Sequence, residues 1–353
     1  MYYESASMKG LFESPNIRKV MPKTTPTIYA VAAKAGVSIS TVSRVLNTPG
    51  KVNEETRNAV LSAIEELGFV PKADARARAM RGTHRIGVLS PFFTAPSFVQ
   101  RLRGVSDFLR PTNYELVVYT IDSVQRLNTY LETLPLTHNL DGLIVLSLKF
   151  DDYYARRLVE LGLETVLVEY PHSVLSSVEI DDIAGGKMAA EYLLSKGHTH
   201  LGYTGDSDEP EYSVHPISLR LVGFRQRLAA AGIQLRDEDI LLNAIDVEET
   251  RRHALTYLTR SDRPTAVFAG TDLQALGLLR AARDLGLRVP QDLAILGFDG
   301  LDVSDYVGLT TLGQHLEESG RVAAEILLSR INNENRSVMH VKLPLTLIER
   351  ETV

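Results

Sequence analysis

Three apolar runs in this chain end on residues that can hold a polar ligand. Glu169 lies at the end of TVLVEY, Thr271 and Asp272 follow TAVFAG, and Asp299 lies at the end of LAILGFD. Arg220 opens RLVGF, and Gln314 closes LTTLGQ. Carboxylates accept from pairs of adjacent hydroxyls, and a guanidinium offers several donors in a fixed plane. That set suits recognition of a hydroxyl-rich small molecule, and nothing in it requires catalysis. A second constellation lies near the N-terminus. Ile39, Ser40, Thr41, Ser43 and Arg44 are mostly short polar groups at the start of a helix, a pattern suited to base edges and phosphates.

Each constellation needs a scaffold. Thr27–Asn47 reads as two short helices around a tight turn. Ile28, Val31, Ala32 and Ala35 share one face, Gly36 permits a sharp exit, and Ser38 can cap the second helix. Val42, Val45 and Leu46 then face inward, which leaves the polar stripe outside. Asn53 caps a third helix with Val60, Ile64 and Leu67 on one stripe and Gly68 closing it. A helix-turn-helix presents its recognition helix to the major groove in this way. From Arg85 onward RIGVLSP, ELVVYTI, DGLIVLSL, TVLVEY, HLGYTG, TAVFAG and LAILGFDG alternate with helical stretches such as SFVQRLRGVSDFLR and MAAEYLLSK. Such alternation implies parallel sheets with helices on both faces, and the length implies two lobes. Ligands of such sheets sit at the carboxyl ends of the strands, where Glu169, Thr271, Asp272 and Asp299 fall.

Composition narrows the function. With 44% hydrophobic and 23% charged residues the chain reads as an ordinary globular protein. There is no cysteine, which excludes disulfides and thiol chemistry. No run approaches the roughly 20 apolar residues of a membrane span, and no secretory start is present, so a cytoplasmic location is expected. The net charge of −6 is segregated: residues 21–81 hold nine basic and five acidic residues, and the acidic excess lies beyond them. A basic end on an acidic body fits contact of that end alone with a polyanion. The sequence contains no G-x-G-x-x-G after a strand, no P-loop, no G-x-S-x-G and no H-E-x-x-H. No cofactor or metal is expected, and His198 and His200 read as structural rather than as metal ligands.

TIYAVAAKAGVSISTVSRVLN and KVNEETRNAVLSAIEELGFVP resemble the headpiece of the LacI/GalR (lactose-repressor) family of bacterial transcription regulators. GGKMAAEYLLSKGHTHLGYTG, RLVGFRQRLAAAGI, VFAGTDLQALGLLRAARDLGLRVPQDLAILGFDG, LTTLGQHLEESGRVAAEILL and LPLTLIERE resemble its core, in the family's order. The resemblance implies an α/β protein. A disordered extension over 1–25 precedes a helix-turn-helix headpiece over 26–71, a hinge linker over 72–84 and a two-lobed periplasmic-binding-protein-like core over 85–353. The first lobe then takes about 85–170 and 314–342 and the second about 171–313 and 343–353, with crossings near Glu169–Ser173, Leu312–Gln314 and Lys342–Pro344.

The resemblance further implies a homodimeric repressor, not an enzyme, that binds a pseudo-palindromic double-stranded operator under control of a small-molecule effector. A sugar is the first expectation and a nucleobase or phosphorylated metabolite the alternative. It assigns DNA contact to Thr27, Ile39, Ser40, Thr41, Ser43, Arg44 and Asn47, and in the linker to Ala75, Arg76 and Arg78. It assigns effector contact to Glu169, Arg220, Thr271, Asp272, Asp299 and Gln314; Phe92, Phe98 and Ser147 are further candidates, an aromatic after the first strand being able either to stack on a sugar ring or to pack in the core. Three positions depart from the family pattern. Thr271-Asp272 replaces Asn-Asp, Leu146 stands where some members place a polar residue, and Arg78 stands where a leucine wedges into the minor groove. The rivals are a sugar-binding transport protein, opposed by the headpiece, and an α/β enzyme, opposed by the missing phosphate loops.

Overall fold

The computed structural model describes residues 27–47, 52–67, 82–137, 139–333 and 337–353 and divides into two compact units, with the boundary between Arg81 and Gly82. The expected extension over 1–25 and the linker residues Ala75, Arg76 and Arg78 lie outside the described residues.

The first unit contains α1 (Ile28–Ala35), α2 (Ile39–Asn47) and α3 (Glu54–Leu67). Val31, Ala32, Val42, Val45, Val60 and Ala63 form its core, so each helix contributes one apolar stripe. Asn53 Oδ1 accepts from Thr56 N at 2.8 Å and caps α3.

The second unit opens with β1 (Arg85–Ser90), α4 (Pro96–Leu109), β2 (Glu115–Thr120), α5 (Val124–Thr137), β3 (Gly142–Leu146), α6 (Asp152–Glu160), β4 (Glu164–Val168) and β5 (Ser176–Glu179). It continues through α7 (Asp182–Ser195), β6 (Leu201–Asp206), α8 (Pro216–Ala230), β7 (Ile240–Asn243), α9 (Val247–Leu258), β8 (Ala266–Ala269), α10 (Asp272–Asp284) and β9 (Ala294–Asp299). It ends with α11 (Asp302–Tyr306), β10 (Thr311–Gly313), α12 (Leu316–Ile331), β11 (His340–Lys342) and β12 (Thr346–Ile348). Two six-stranded sheets result, ordered β11-β5-β4-β3-β1-β2 and β12-β10-β9-β8-β6-β7. All pairings are parallel except β10 with β12.

Period-two alternation splits each strand between two cores. On β3, Ile144 and Leu146 pack toward α4 and α12, and Leu143 and Val145 toward α5 and α6. On β8, Ala266 and Phe268 pack toward α7 and α8, and Val267 and Ala269 toward α9 and α10. Both faces of both sheets are thereby covered, as parallel sheets require. No described helix is long and apolar enough to cross a membrane.

Two expected boundaries are corrected. The first crossing between lobes lies after Glu179 and not near Glu169–Ser173, because the chain turns there, with Leu175 N on His172 O at 3.2 Å, and returns as β5 between β4 and β11. The second lobe therefore does not begin at 171. Residues 82–84, expected in the linker, belong to the core, where Thr83 and His84 are hydrogen-bonded to Asp141.

Candidate functional site

In the headpiece, α1 is capped by Thr27, whose side chain accepts from Ala30 N at 3.4 Å. The helix stops at Gly36, which takes the left-handed conformation (φ 67°, ψ 27°) that a side chain disfavours. Ser38 then caps α2, accepting from Thr41 N at 3.2 Å and sharing hydrogen bonds of 2.8 Å with the hydroxyls of Ser40 and Thr41. Val42 and Val45 turn inward. Ile39, Ser40 and Arg44 are exposed, and Thr41 and Ser43 are half-buried beside them. The side chain of Asn47 lies outside the described ones.

In the core, the carboxyl ends of strands from both sheets meet around a cavity of about 300 Å³. Phe92, Phe98, Ser147, Glu169, Arg220, Thr271, Asp299 and Gln314 all line it. Ser147, Glu169 and Asp299 hold positive φ of 51°, 69° and 129° where their strands end. Such conformations cost about 1–3 kcal/mol each and concentrate at ligand sites.

One polar chain crosses the cavity floor. Arg101 of α4 pairs with Glu169 and donates to Gln314 Oε1 at 2.9 Å. Ser147 donates to the other Glu169 oxygen. Gln314 Nε2 donates to Asp299 Oδ1 at 2.6 Å, and Arg220 Nη1 stands 3.6 Å from that same oxygen. Arg220 Nε donates to Asp182 at 2.9 Å, its Nη1 donates to Gly270 O at 2.7 Å, and its guanidinium lies 3.7 Å from the Phe298 ring centre. Gln314, which follows β10, thus joins the first lobe's arginine to the second lobe's carboxylate.

Burial raises the Asp299 pKa to about 7, against the lowering charge of Arg220. Burial also works to raise Glu169, but the Arg101 charge and the hydrogen bonds from Arg101 and Ser147 outweigh it and hold that carboxyl below its ordinary value.

Asp272 is corrected: it does not line the cavity. It is fully buried beneath the Asp299 turn, where Oδ2 accepts from Leu301 N and Ser304 Oγ at 2.8 Å and Oδ1 from Thr311 Oγ1 at 2.6 Å. Its full set of protein donors makes it a structural carboxylate, raised by burial to about 6. Thr271 Oγ1 accepts from Gln274 N and caps α10. Phe92 and Phe98 meet edge-to-face at 5.8 Å, and Phe98 also belongs to the first lobe's core. His198 and His200 bond Thr265 and Asp239, and no cluster of described residues is suited to a metal ion.

The same device positions both cavity arginines. Helices α4 and α12 cross at Gly104 and Gly320, and α7 and α8 cross at Gly186 and Gly223. A Cβ on Gly320 would lie 2.0 Å from Arg101 O, and one on Gly186 would lie 1.9 Å from Arg220 O. Each arginine therefore sits on the turn that its partner helix touches backbone to backbone.

Residues 27–72 match the model for bacterial regulatory proteins of the lacI family, and residues 190–353 match the periplasmic binding protein-like domain. The chain is 33% identical to the HTH-type transcriptional repressor PurR of Pectobacterium carotovorum subsp. carotovorum, covering 93% of this chain and 96% of the relative. The chain belongs to the LacI family. Among solved structures, the transcriptional regulator CelR in complex with cellobiose is 31% identical with a TM-score of 0.66, covering 93% of this chain and 100% of that one. The lac repressor dimer bound to operator and the anti-inducer ONPF is 26% identical with a TM-score of 0.67, covering 93% and 99%.

As a LacI-family member the chain is a DNA-binding transcriptional repressor with an effector-binding core. Sequence reasoning missed the charged partners Arg101 and Asp182, and the end of β6 with the loop that follows it, where Asp206, Asp208, Glu209 and His215 also line the cavity. Arg101 left a signal. Phe98, Val105 and Leu109 mark the buried stripe of α4, and Arg101 falls on that stripe at helical spacing.

Proposed function

We propose that this repressor binds its operator as a homodimer and that its effector is a neutral, hydroxyl-rich molecule of sugar size held between the lobes. The charge of the cavity lining carries the reading. Arg101 and Arg220 face Glu169, Asp206, Asp208, Glu209 and Asp299, so the lining is net acidic and both guanidiniums already have carboxylate partners. An effector bearing phosphate would meet repulsion there, whereas hydroxyls would donate to the carboxylates. CelR, with cellobiose bound, supports a sugar. The second reading is a planar nucleobase, favoured by the Phe92–Phe98 pair at the cavity wall. Ile39, Ser40 and Arg44 read bases, with Thr41 and Ser43 nearer phosphates. Two headpieces read two half-sites.

Calorimetry with glucose, ribose, cellobiose, glucose 6-phosphate and hypoxanthine is the test. Saturable heat from one neutral sugar, with none from its phosphate, is the expected result. Binding of glucose 6-phosphate alone would overturn the charge argument, and binding of hypoxanthine alone would install the second reading. Sedimentation at micromolar concentration should give a dimer.

A further inference from the structure

β3 runs between the cavity and the start of the core, beside β1, which begins just after Thr83 and His84 and leads to Phe92 in the cavity lining. Its carboxyl end delivers Ser147 to the cavity, where the hydroxyl bonds Glu169. Just before its amino end stands Asp141. The Asp141 Oδ1 accepts from Thr83 N at 2.6 Å and Thr83 Oγ1 at 2.8 Å, and Oδ2 accepts from His84 N at 2.8 Å. Hydrogen bonds to an ionised carboxylate are about twice as strong as neutral ones. The carboxylate thereby clasps the first described residues of the core, directly after the segment that follows the headpiece in the chain.

The clasp holds a backbone that would not keep its shape alone. Gly82 takes φ +76°, and a Cβ there would lie 2.7 Å from Asp141 Oδ2. His84 takes φ 53°. Among the described residues the other non-glycine positions of positive φ are Ser147, Glu169, Asp299 and His315, and each lies in the cavity lining or beside Gln314. Strain away from the ligand site is thus concentrated at the clasp. Starting β1 does not require it, since Arg85 onward is already paired with β2, and Ile86 onward with β3.

We infer that Asp141 is a positioning residue that fixes how the chain leaves the core toward the headpiece, and that β3 carries the state of the lobes to it. The inference rests on the reading that lobe arrangement governs operator binding. β3 is hydrogen-bonded on both sides, to β1 and β4, so the segment from Asp141 to Ser147 moves as a rod of about 20 Å rather than bending. A shift imposed at Ser147 is then delivered at Thr83 and His84.

The absence of cysteine from the chain makes a clean test available. Leu148 and Ser213 face each other in an antiparallel bridge between the lobes, flanked by Val214 N on Ser147 O and Lys149 N on Tyr212 O, both at 3.0 Å. Such a non-hydrogen-bonded pair, about 4.5 Å between Cα atoms, suits a disulfide. The full chain with Leu148→Cys and Ser213→Cys is locked by oxidation and freed by reductant. Its affinity is read by anisotropy on a duplex that the unaltered protein selects from a random pool.

With Asp141 intact, locking should change that affinity within the usual allosteric range of about 5–150-fold. Asp141→Asn keeps the shape but turns a donor toward the His84 N–H, and it should bring the ratio to within about twofold of one by that same scale. A residue of merely structural importance would weaken both states alike and keep the ratio. An unchanged ratio in Asp141→Asn overturns the inference. Should that variant fail to unfold cooperatively, Gly82→Ala strains the same clasp from the other side. A ratio near one in Gly82→Ala then supports the inference, and an unchanged ratio overturns it. A ratio of one in the chain with Asp141 intact would instead sink lobe control, and the relay with it.

Discussion

At the scale of residues, Arg220 is committed on one side and open on the other. Its Nε and Nη1 are bonded to Asp182 and Gly270, while Nη2 makes no hydrogen bond to a described residue and belongs to a side chain lining the cavity. Arg220→Ala should weaken the sugar found by calorimetry by about 2–5 kcal/mol, the usual loss for one partner of a buried charge pair. Its melting temperature should also fall, because Asp182 is left buried without its cation. Unchanged sugar affinity would remove Arg220 from the site. Asp299 supplies a pH prediction. Its folded pKa of about 7 exceeds the ordinary aspartate value of about 3.9. The folded chain therefore holds a proton that the unfolded chain releases, so this stabilisation is complete below about pH 4 and is lost as pH rises through 7. The effector-free protein should melt higher at pH 6 than at pH 8, with buried Asp272, raised to about 6, adding the same sign. Asp299→Asn should shrink that difference, and a melting temperature equally pH-dependent in the variant would place the titration elsewhere.

At the scale of elements, the two glycine crossings set where the arginines stand. Gly186→Ala would drive a methyl against Arg220 O, and overpacking of this kind costs about 1–3 kcal/mol. The variant should unfold at lower denaturant with an unchanged slope and should bind the sugar more weakly, because Arg220 is pushed with its helix. Normal sugar affinity would separate the crossing from the site. These helices also explain what could be read in advance. Ile217, Phe224 and Leu228 mark a buried stripe on α8, and Arg220 falls on it, as Arg101 falls on the stripe of α4 with the same spacing. A charged residue on an apolar stripe is legible, yet only the resemblance drew attention to Arg220. The central strands were legible because both faces are buried and their sequences are continuously apolar. β5 was not, since Ser176 and Ser177 are buried through hydrogen bonds and not through side-chain bulk. The first crossing, placed by the resemblance, falls instead after β5. Asp272 misled for a related reason: sequence places it at a strand end beside the cavity, and only packing reveals the donors beneath it that consume the carboxylate.

At the scale of the whole molecule, charge divides the labour. Residues 21–81 carry the basic excess and the cavity in the core is acidic, so the proposed neutral effector and the polyanionic operator would address separate surfaces. The effector can shift DNA binding only by preferring one lobe arrangement, typically by about 1–3 kcal/mol. If the segment over 72–81 contacts the operator as the resemblance implies, its basic residues Lys72, Arg76, Arg78 and Arg81 should add to the electrostatic share of the affinity. Arg78 stands where the family resemblance implies a wedging leucine, so charge should replace part of the wedge. Arginine enters narrow, electronegative minor grooves, which A·T-rich centres provide. Arg78→Leu should therefore lower the slope of log affinity against log salt by about one phosphate equivalent per headpiece, measured on the duplex selected by the unaltered protein. It should also relax the preference for A·T pairs at the operator centre when selection is repeated with the variant. An unchanged slope together with an unchanged central preference would mean that Arg78 does not contact the groove, and the wedge would then have to come from another linker residue, such as Met80.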